Sequence, residues 1–448
     1  MSDLPSYSDY KESGVEWLGK IPSHWLLIKN KFILNFSKGL TITKENLIDE
    51  GIPCVNYGEV HSKFGFEVDP NKHSLKCVPE IYLNDFPNAL LKKGDFIFAD
   101  TSEDIKGSGN FTYLNSELPT FAGYHTIIAK INNINYPRYL AYVFDCDSYR
   151  NQIRAQVKGI KVFSITQFML KNSIVWLPPL EEQKAITRYL DKKLAQIDTL
   201  ITKQQALLEK LAEQRIALIS HAVTKGLNPD VEMKESEVEW LGKIPKHWEV
   251  KQLKFVTTCN DETLNEATEP DKEILYIDIS NVSLIEGIKY KESMTFENSP
   301  SRARRIVKDG DVIISTVRTY LKAITQIKDA EDNLVVSTGF AVLRSKPEIT
   351  PDFLNYWIQS SGFISSIVSN SVGVSYPAIT ATDLIKLPIV VFSKTEQKHI
   401  SAYLDIMLKK NHDMQSLHIN CITKLKEYRS TLITQAVTGK IDVRNLAN

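Results

Sequence analysis

Apolar residues step by four and three through the stretch after Pro178-Pro179: Leu190, Leu194, Ile197, Ile201, then Leu208, Leu211 and Leu218. That spacing predicts one long helix from Glu181 to about Gly226, opened by prolines that cannot continue a preceding helix and closed at Lys225-Gly226. Gln204 and Arg215 interrupt the stripe. A second long helix, from about Glu396 to Val437, keeps Leu404, Leu408, Ile422, Leu425 and Leu432 in the equivalent places. Asn411, Gln415 and His418 stand where the first helix has Ile197, Ile201 and Gln204. The spacing is that of a coiled coil, in which polar seam residues cost stability but can set register or partner choice. At 1.5 Å per residue each helix is on the order of 65 Å long. LPIVVFSKTEQ precedes the second helix without a double proline, so its start is less sharply marked.

The matching helices belong to a repeat of the whole chain. KESGVEWLGKIPSHW at Lys11 returns as KESEVEWLGKIPKHW at Lys234 with two differences. EEQKAITRYLDKKL at Glu181 is answered by TEQKHISAYLDIML at Thr395, and ALISHAVTKG at Ala217 by TLITQAVTGK at Thr431; 395 − 181 and 431 − 217 both give 214. PRYLAYVF at Pro137 and PDFLNYWI at Pro351 share that spacing. Weaker pairs are KGDFIFADT at Lys93 with DGDVIISTV at Asp309, and AGYHTIIAK at Ala122 with TGFAVLRSK at Thr338. Two equivalent halves imply an approximate internal twofold axis, which would set the long helices antiparallel.

Between clasp and helix lie two globular segments of about 150 residues. In each, a Gly-Asp turn leads into a buried strand (ALLKKGDFIFAD, VKDGDVIISTV), and HTIIAKI and GFAVLRS supply further strands. RYLAYVFDCDSYRNQIRAQ and DFLNYWIQSSGFISSIVSN have helical spacing, each followed by a Gly-containing loop, KGIKVFS or SVGVSYP. The expected class is α+β. The blocks are residues 1–25 (clasp), 26–178 (globular), 179–248 (helix and repeated clasp), 249–393 (globular) and 394–448 (helix). Trp17, Trp25, Trp240 and Trp248 of the clasps have large surfaces to bury, which suggests an extended segment packed across the junction of globular segment and helix. His24 and His247 beside them have no Cys or carboxylate cluster in sequence and read as structural.

Composition adds limits. At 448 residues the chain exceeds one ordinary core. A hydrophobic share of 43% and a charged share of 24% fit a soluble globular protein, and no apolar run approaches a membrane span. The polar start MSDLPSYSDYKESG does not resemble a signal peptide, and five scattered cysteines (Cys54, Cys77, Cys146, Cys259, Cys421) favour free thiols in a reducing cytoplasm. A net charge of zero excludes coating nucleic acid by charge alone, but leaves room for local basic grooves.

The chain has no GxGxxG, Walker, HExxH or GxSxG motif. Asn228-Pro229-Asp230 lacks the aromatic that amino-methyltransferases place after their prolines, and the carboxylates of PDVEMK are almost adjacent in a linker. No catalytic residue and no metal ligand is expected. Polyanion contacts are expected from Arg302, Arg304 and Arg305 before a turn, Arg318 beyond it, Lys106 in the Gly-rich loop EDIKGSGN, Lys158 and Lys161 in VKGIKVF, and Ser375 and Tyr376 in SVGVSYP. A stand-alone DNA methyltransferase or nuclease, and a coiled-coil scaffold with no DNA role, are the rival readings.

GVEWLGKIPSHW with EVEWLGKIPKHW, LPPLEEQKAITRYLD, HAVTKGL, and SRARRIVKDGDVIISTVR with VSTGFAVLRSK together resemble the specificity subunits of type I restriction–modification systems, over essentially the whole chain. The resemblance implies two target-recognition domains, each reading one half of a split, asymmetric DNA sequence. It also implies two modification subunits that bind S-adenosylmethionine and methylate adenine, and two restriction subunits that use ATP and Mg. This subunit itself would hold no cofactor. The family transfers no list of base-contacting residues, so the arginines and lysines above rest on local chemistry alone.

Overall fold

The computed structural model describes residues 4–132, 135–159, 161–373 and 376–446. The chain divides into two compact units. Unit 1 holds residues 1–203 and 421–448; unit 2 holds 204–420. Both expected long helices form, as Leu180–Lys225 and Lys394–Val437, and each contributes one half to each unit.

Within unit 1, Leu190, Leu194, Ile197 and Ile201 share a core with Leu432, Ile433, Ala436 and Val437 of the second helix. Arg429 Nε donates to Asp198 Oδ1 at 3.1 Å beside it. Within unit 2, Ile219, Ala222 and Val223 share a core with Ile400 and Leu404. Here the polar seam is satisfied: Asn411 Nδ2 donates to the Leu211 carbonyl at 3.0 Å and Gln415 Nε2 to Asn411 Oδ1 at 3.0 Å. His418 Nδ1 lies 2.5 Å from Gln204 Oε1. Thus 204 meets 418 and 211 meets 411, and the two helices run in opposite directions in this unit.

The repeated EEQK/TEQK words mark where each helix grips its globular module. Gln183 Oε1 accepts from the Tyr136 amide and its Nε2 donates to the Pro178 carbonyl, both at 2.9 Å. Gln397 does the same with the Thr350 amide and the Phe392 carbonyl, at 2.8 and 2.9 Å. Eight residues on, Asp191 and Asp405 accept from the hydroxyls of Tyr142 and Tyr356. Gln183, Gln397, Tyr142 and Tyr356 are buried, where leaving a polar group unpaired is costly.

Each clasp is a two-stranded antiparallel hairpin rather than one extended segment: Tyr10–Glu12 with Lys20–Pro22, and Met233–Glu235 with Lys243–Pro245. Trp25 and Trp248 are fully buried. Their indole N–H groups donate to Glu182 Oε1 (2.9 Å) and Glu396 Oε1 (3.2 Å) in the first turns of the long helices, and the other oxygens meet His24 and His247. Each histidine thus has a carboxylate partner brought to it from the long helix. Trp17 departs from expectation at 39% exposed, although its ring meets Trp176 at a tilt (centroids 5.9 Å apart), as Trp240 meets Trp357 (5.8 Å).

The chain's tail repeats the junction between first helix and second clasp. Lys225 Nζ donates to the carbonyls of Leu241 and Lys243, and Lys440 Nζ to those of Leu18 (3.2 Å) and Lys20 (2.6 Å). Gly226 and Gly439 end the two helices with φ of 76° and 69°, the left-handed stop that glycine adopts without a Cβ clash. At Gly439 a Cβ would also collide with Pro22. Val443 and Ile441 are buried just beyond. Truncation after Val437 is therefore expected to cost unit 1 about 4 kcal/mol, from two buried aliphatic side chains and the lost lysine latch. Urea denaturation followed by tryptophan fluorescence would measure it, and a change below about 1 kcal/mol would contradict this packing.

The two modules share a plan of two small sheets despite their unlike sequences. In unit 1 the main sheet runs Leu34–Lys38, Thr126–Ile131, Phe96–Ala99, Phe111–Leu114, Phe66–Val68; in unit 2 it runs Thr257–Cys259, Phe340–Ser345, Val312–Ser315, Ile324–Gln326. The second sheets are built around one parallel pair each, Ile52–Val55 with Thr120–Ala122 and Glu273–Ile277 with Leu334–Ser337. The Gly-Asp turns work alike: Asp95 and Asp311, both buried, accept through Oδ2 from the amides of Lys92 and Lys308 at 2.8 Å. One sequence pairing is corrected. Thr126 faces Ala99 and Phe340 faces Ser315, so these strands correspond at 340 − 126 = 214, whereas AGYHTIIAK and TGFAVLRSK were aligned at 216. A shift of two leaves every side chain on its face, which is why the pattern hid it. Each helical stretch after these strands also breaks in two, Pro137–Asp145 with Asp147–Arg154 and Pro351–Ile358 with Ser361–Ser369.

Candidate nucleic-acid interface

In each unit two loops leave the module side by side. One follows the buried Gly-Asp strand and the other follows the helix pair. In unit 1 they are joined where Thr101 and Ser102 pair with Ser164 and Phe163; in unit 2, where Val317 bridges Ala378. This construction places Lys106 on one loop of unit 1 and Lys158 and Lys161 on the other, and brings Arg318 and Tyr376 together across the two loops of unit 2.

The unit 1 loop is tightly folded. Asp104 Oδ1 accepts from the Gly107 amide at 2.6 Å, and the Lys106 carbonyl accepts from Arg154 Nη2 at 3.0 Å. Lys106 lines a cleft of about 680 Å³ with Arg150, Arg154, Lys426 and Arg429, tempered by Asp104, Asp145 and Asp147. Arg150 and Arg154 keep buried Nε atoms without a partner, although their Nη groups are engaged. Lys158 and Lys161 are exposed. In unit 2 the Arg318 guanidinium lies 5.1 Å over the Tyr376 ring. Arg318 shares a cleft of about 480 Å³ with Arg302 and Asp278. Arg302 Nε donates to Asp278 Oδ2 at 2.9 Å. Burial opposes ionisation of Asp278, but hydrogen bonds from Tyr276 and Arg302 hold its carboxyl below the ordinary range. Ser375 lies outside the described residues.

The arginine run does not converge. Arg302 turns to Asp278, Arg304 stacks 4.5 Å over Phe296, and Arg305 donates to the Thr338 carbonyl at 3.3 Å. Neighbours on a strand face opposite ways, and the ladder is irregular between Ala303 and Arg305. Burial makes the Arg305 guanidinium less basic than usual. Among the described residues, no group of three or more His, Cys, Asp or Glu side chains is placed to hold a metal ion. No helix among them is long and apolar enough to cross a membrane.

The family model for the type I restriction modification DNA specificity domain matches the chain twice, over residues 22–210 and 245–420. The chain belongs to that family. Each specificity domain so defined takes in one globular module and part of one long helix. A Methanocaldococcus jannaschii protein named as a candidate type I restriction enzyme MjaX specificity subunit is 25% identical over 443 residues, covering 97% of this chain and 98% of that one. The type I restriction enzyme EcoBI specificity subunit of Escherichia coli is 22% identical over 444 residues, covering 96% and 89%. Two solved structures share the fold. One, solved in work on complex assembly and conformational transition of the type I R-M system, has a TM-score of 0.69 at 16% identity and covers 93% of this chain and 98% of that one. The other, an HsdS subunit from Thermoanaerobacter tengcongensis, has a TM-score of 0.55 at 16% identity and covers 96% and 100%.

The cleft-lining Arg150 and Arg154, and the exposed Tyr320 and Leu321, are not among the residues the sequence singles out. Helical spacing could have put both arginines on one face, since they lie four residues apart. Nothing in TVRTYLK distinguishes an exposed Tyr-Leu pair from a core one.

Proposed function

We propose that the two specificity domains read two different halves of one asymmetric duplex DNA target, each through its paired loops. The observation that carries this is one scaffold, two sheets and a helical grip, repeated in a single chain with unlike loop tips. The long helices act as an antiparallel coiled-coil spacer that fixes how many base pairs between the half-sites go unread. Two rigidly linked readers gain from effective concentration only when the gap fits the spacer.

The chain performs no chemistry in this reading. Two modification subunits docked on it supply S-adenosylmethionine-dependent adenine methylation, and two restriction subunits supply ATP- and Mg-dependent translocation and cutting, in the cytoplasm. Lys106, Lys158, Lys161, Arg302, Arg304, Arg305, Arg318, Ser375 and Tyr376 are the proposed DNA contacts. In this reading Arg318 and Arg302, which share a cleft, contribute most, and Arg304 and Arg305, held by Phe296 and Thr338, contribute less.

Replacing Arg318 by Ala in the assembled methylase complex is expected to weaken binding, and to lower the slope of log K against log[salt] by about 1 if it meets a phosphate. Replacing Arg304 is expected to weaken binding less and to leave the slope closer to its original value. Equal losses for both, measured by fluorescence anisotropy over a salt series, would contradict the sorting.

A further inference from the structure

The tip of unit 2 carries apolar surface that the described residues of the unit leave open. Tyr320, Leu321, Val372 and Tyr376 are 54%, 45%, 81% and 65% exposed, and Val317 adds its edge. The tip is fixed in place. Val317 and Val372 both bridge Ala378. Thr319 Oγ1 lies 3.1 Å from Ser371 Oγ, and the Ile379 amide donates to the Thr316 carbonyl at 2.9 Å. Arg318 and Lys322, on either side of the Tyr-Leu turn, hold φ of 51° and 50°. Side chains with a Cβ rarely occupy that left-handed region unless the surroundings over-determine it, and such positions gather at functional sites.

An exposed apolar tip flanked by cations has a limited choice of partner on duplex DNA. Phosphates and most base edges are polar. The apolar features that differ between bases are the 5-methyl group of thymine, open in the major groove, and the base faces, which are reached only by unstacking a step. The methyl group costs no distortion of the duplex. Arg318, 5.1 Å over the Tyr376 ring, carries N–H groups that suit a neighbouring guanine or phosphate. Among the described residues, the matching tip of unit 1 exposes Ile105 and Val162 beside Lys106, Lys158 and Lys161.

We infer that unit 2 reads thymine in its half-site through the 5-methyl group, with Leu321 and Val372 supplying the apolar contact. This rests on the bipartite reading proposed above. The experiment uses the assembled methylase complex and the target defined by its own methylation pattern. Deoxyuridine replaces each thymidine of both half-sites in turn, and affinity is measured for the unaltered chain, Leu321→Ala and Val372→Ala. All three are first checked for the same melting profile.

The expected result is a loss of about four-fold at one or two thymines of the unit 2 half-site, the effect of baring one methyl group. That loss should vanish in at least one variant, while uracil in the other half-site has the same effect in all three chains. Thymines that are all indifferent to uracil, or a penalty that survives in both variants, would overturn the inference. So would a unit 2 half-site without an A·T pair. Brightening of 2-aminopurine next to the contacted position, lost in Leu321→Ala, would replace methyl reading by insertion into a base step. Absence of any two-part methylation motif would overturn both this inference and the reading beneath it.

Discussion

Inserting four residues after Leu208, with four more after Met414, is expected to lengthen the unread gap by about two base pairs and leave both half-sites unchanged. The two positions lie opposite one another, because Gln204 meets His418 and the Leu211 carbonyl meets Asn411. Four residues are about one helical turn, or ~6 Å of rise, against ~3.4 Å per base pair. The doubled insertion keeps each seam residue with its partner, so the core of unit 2 is retained while the helices lengthen. The new preference can be read from the methylation motif of cells carrying the lengthened chain. Altered half-sites with the old gap would show that the helices do not set the spacing.

Glu182→Ala is expected to destabilise unit 1 by about 3–5 kcal/mol, among the largest single-residue effects in the chain. Its buried carboxylate accepts from Tyr7 Oη at 2.7 Å and Trp25 Nε1 at 2.9 Å, and its other oxygen meets His24 Nε2 at 2.7 Å. Removing it strands the buried Tyr7 hydroxyl and Trp25 N–H at once. Burial, then the bond to Glu182, holds the Tyr7 hydroxyl pKa far above its ordinary value, so Tyr7 serves Glu182 as a neutral donor. Among the described residues the Glu396 carboxylate has two partners, at 2.9 and 3.2 Å, and Glu396 is half-buried, so Glu396→Ala should cost unit 2 about 1–2 kcal/mol. Hydrogen exchange resolved by unit would separate the two losses. Equal losses would contradict the asymmetry.

Much of this frame was legible in the sequence because it is periodic or repeated. The helix bounds followed from Pro178-Pro179, Lys225-Gly226 and the leucine spacing, and fell within two residues of those found. The repeated Trp25/Trp248 and Gln183/Gln397 flagged the junctions, and the structure explains the repetition: each makes bonds that both units need. The modules were harder to read. Their sheets mix parallel and antiparallel pairs between short strands far apart in sequence, and such pairing leaves no local period. The clasp hairpin was missed because Tyr10–Glu12 and Lys20–Pro22 are three-residue strands, too short to alternate visibly. At the tips, residue type pointed to Arg318 and Tyr376, which do meet. It could not separate them from Arg304 and Arg305, whose partners are set by tertiary contacts.

The most direct measurement is single-molecule sequencing of adenine methylation in DNA from cells expressing this chain with its cognate methylase. The account predicts one asymmetric motif of two unlike parts separated by a fixed number of free positions, with a methylated adenine on opposite strands of the two parts. A continuous motif, or two parts separated by a variable gap, would contradict it.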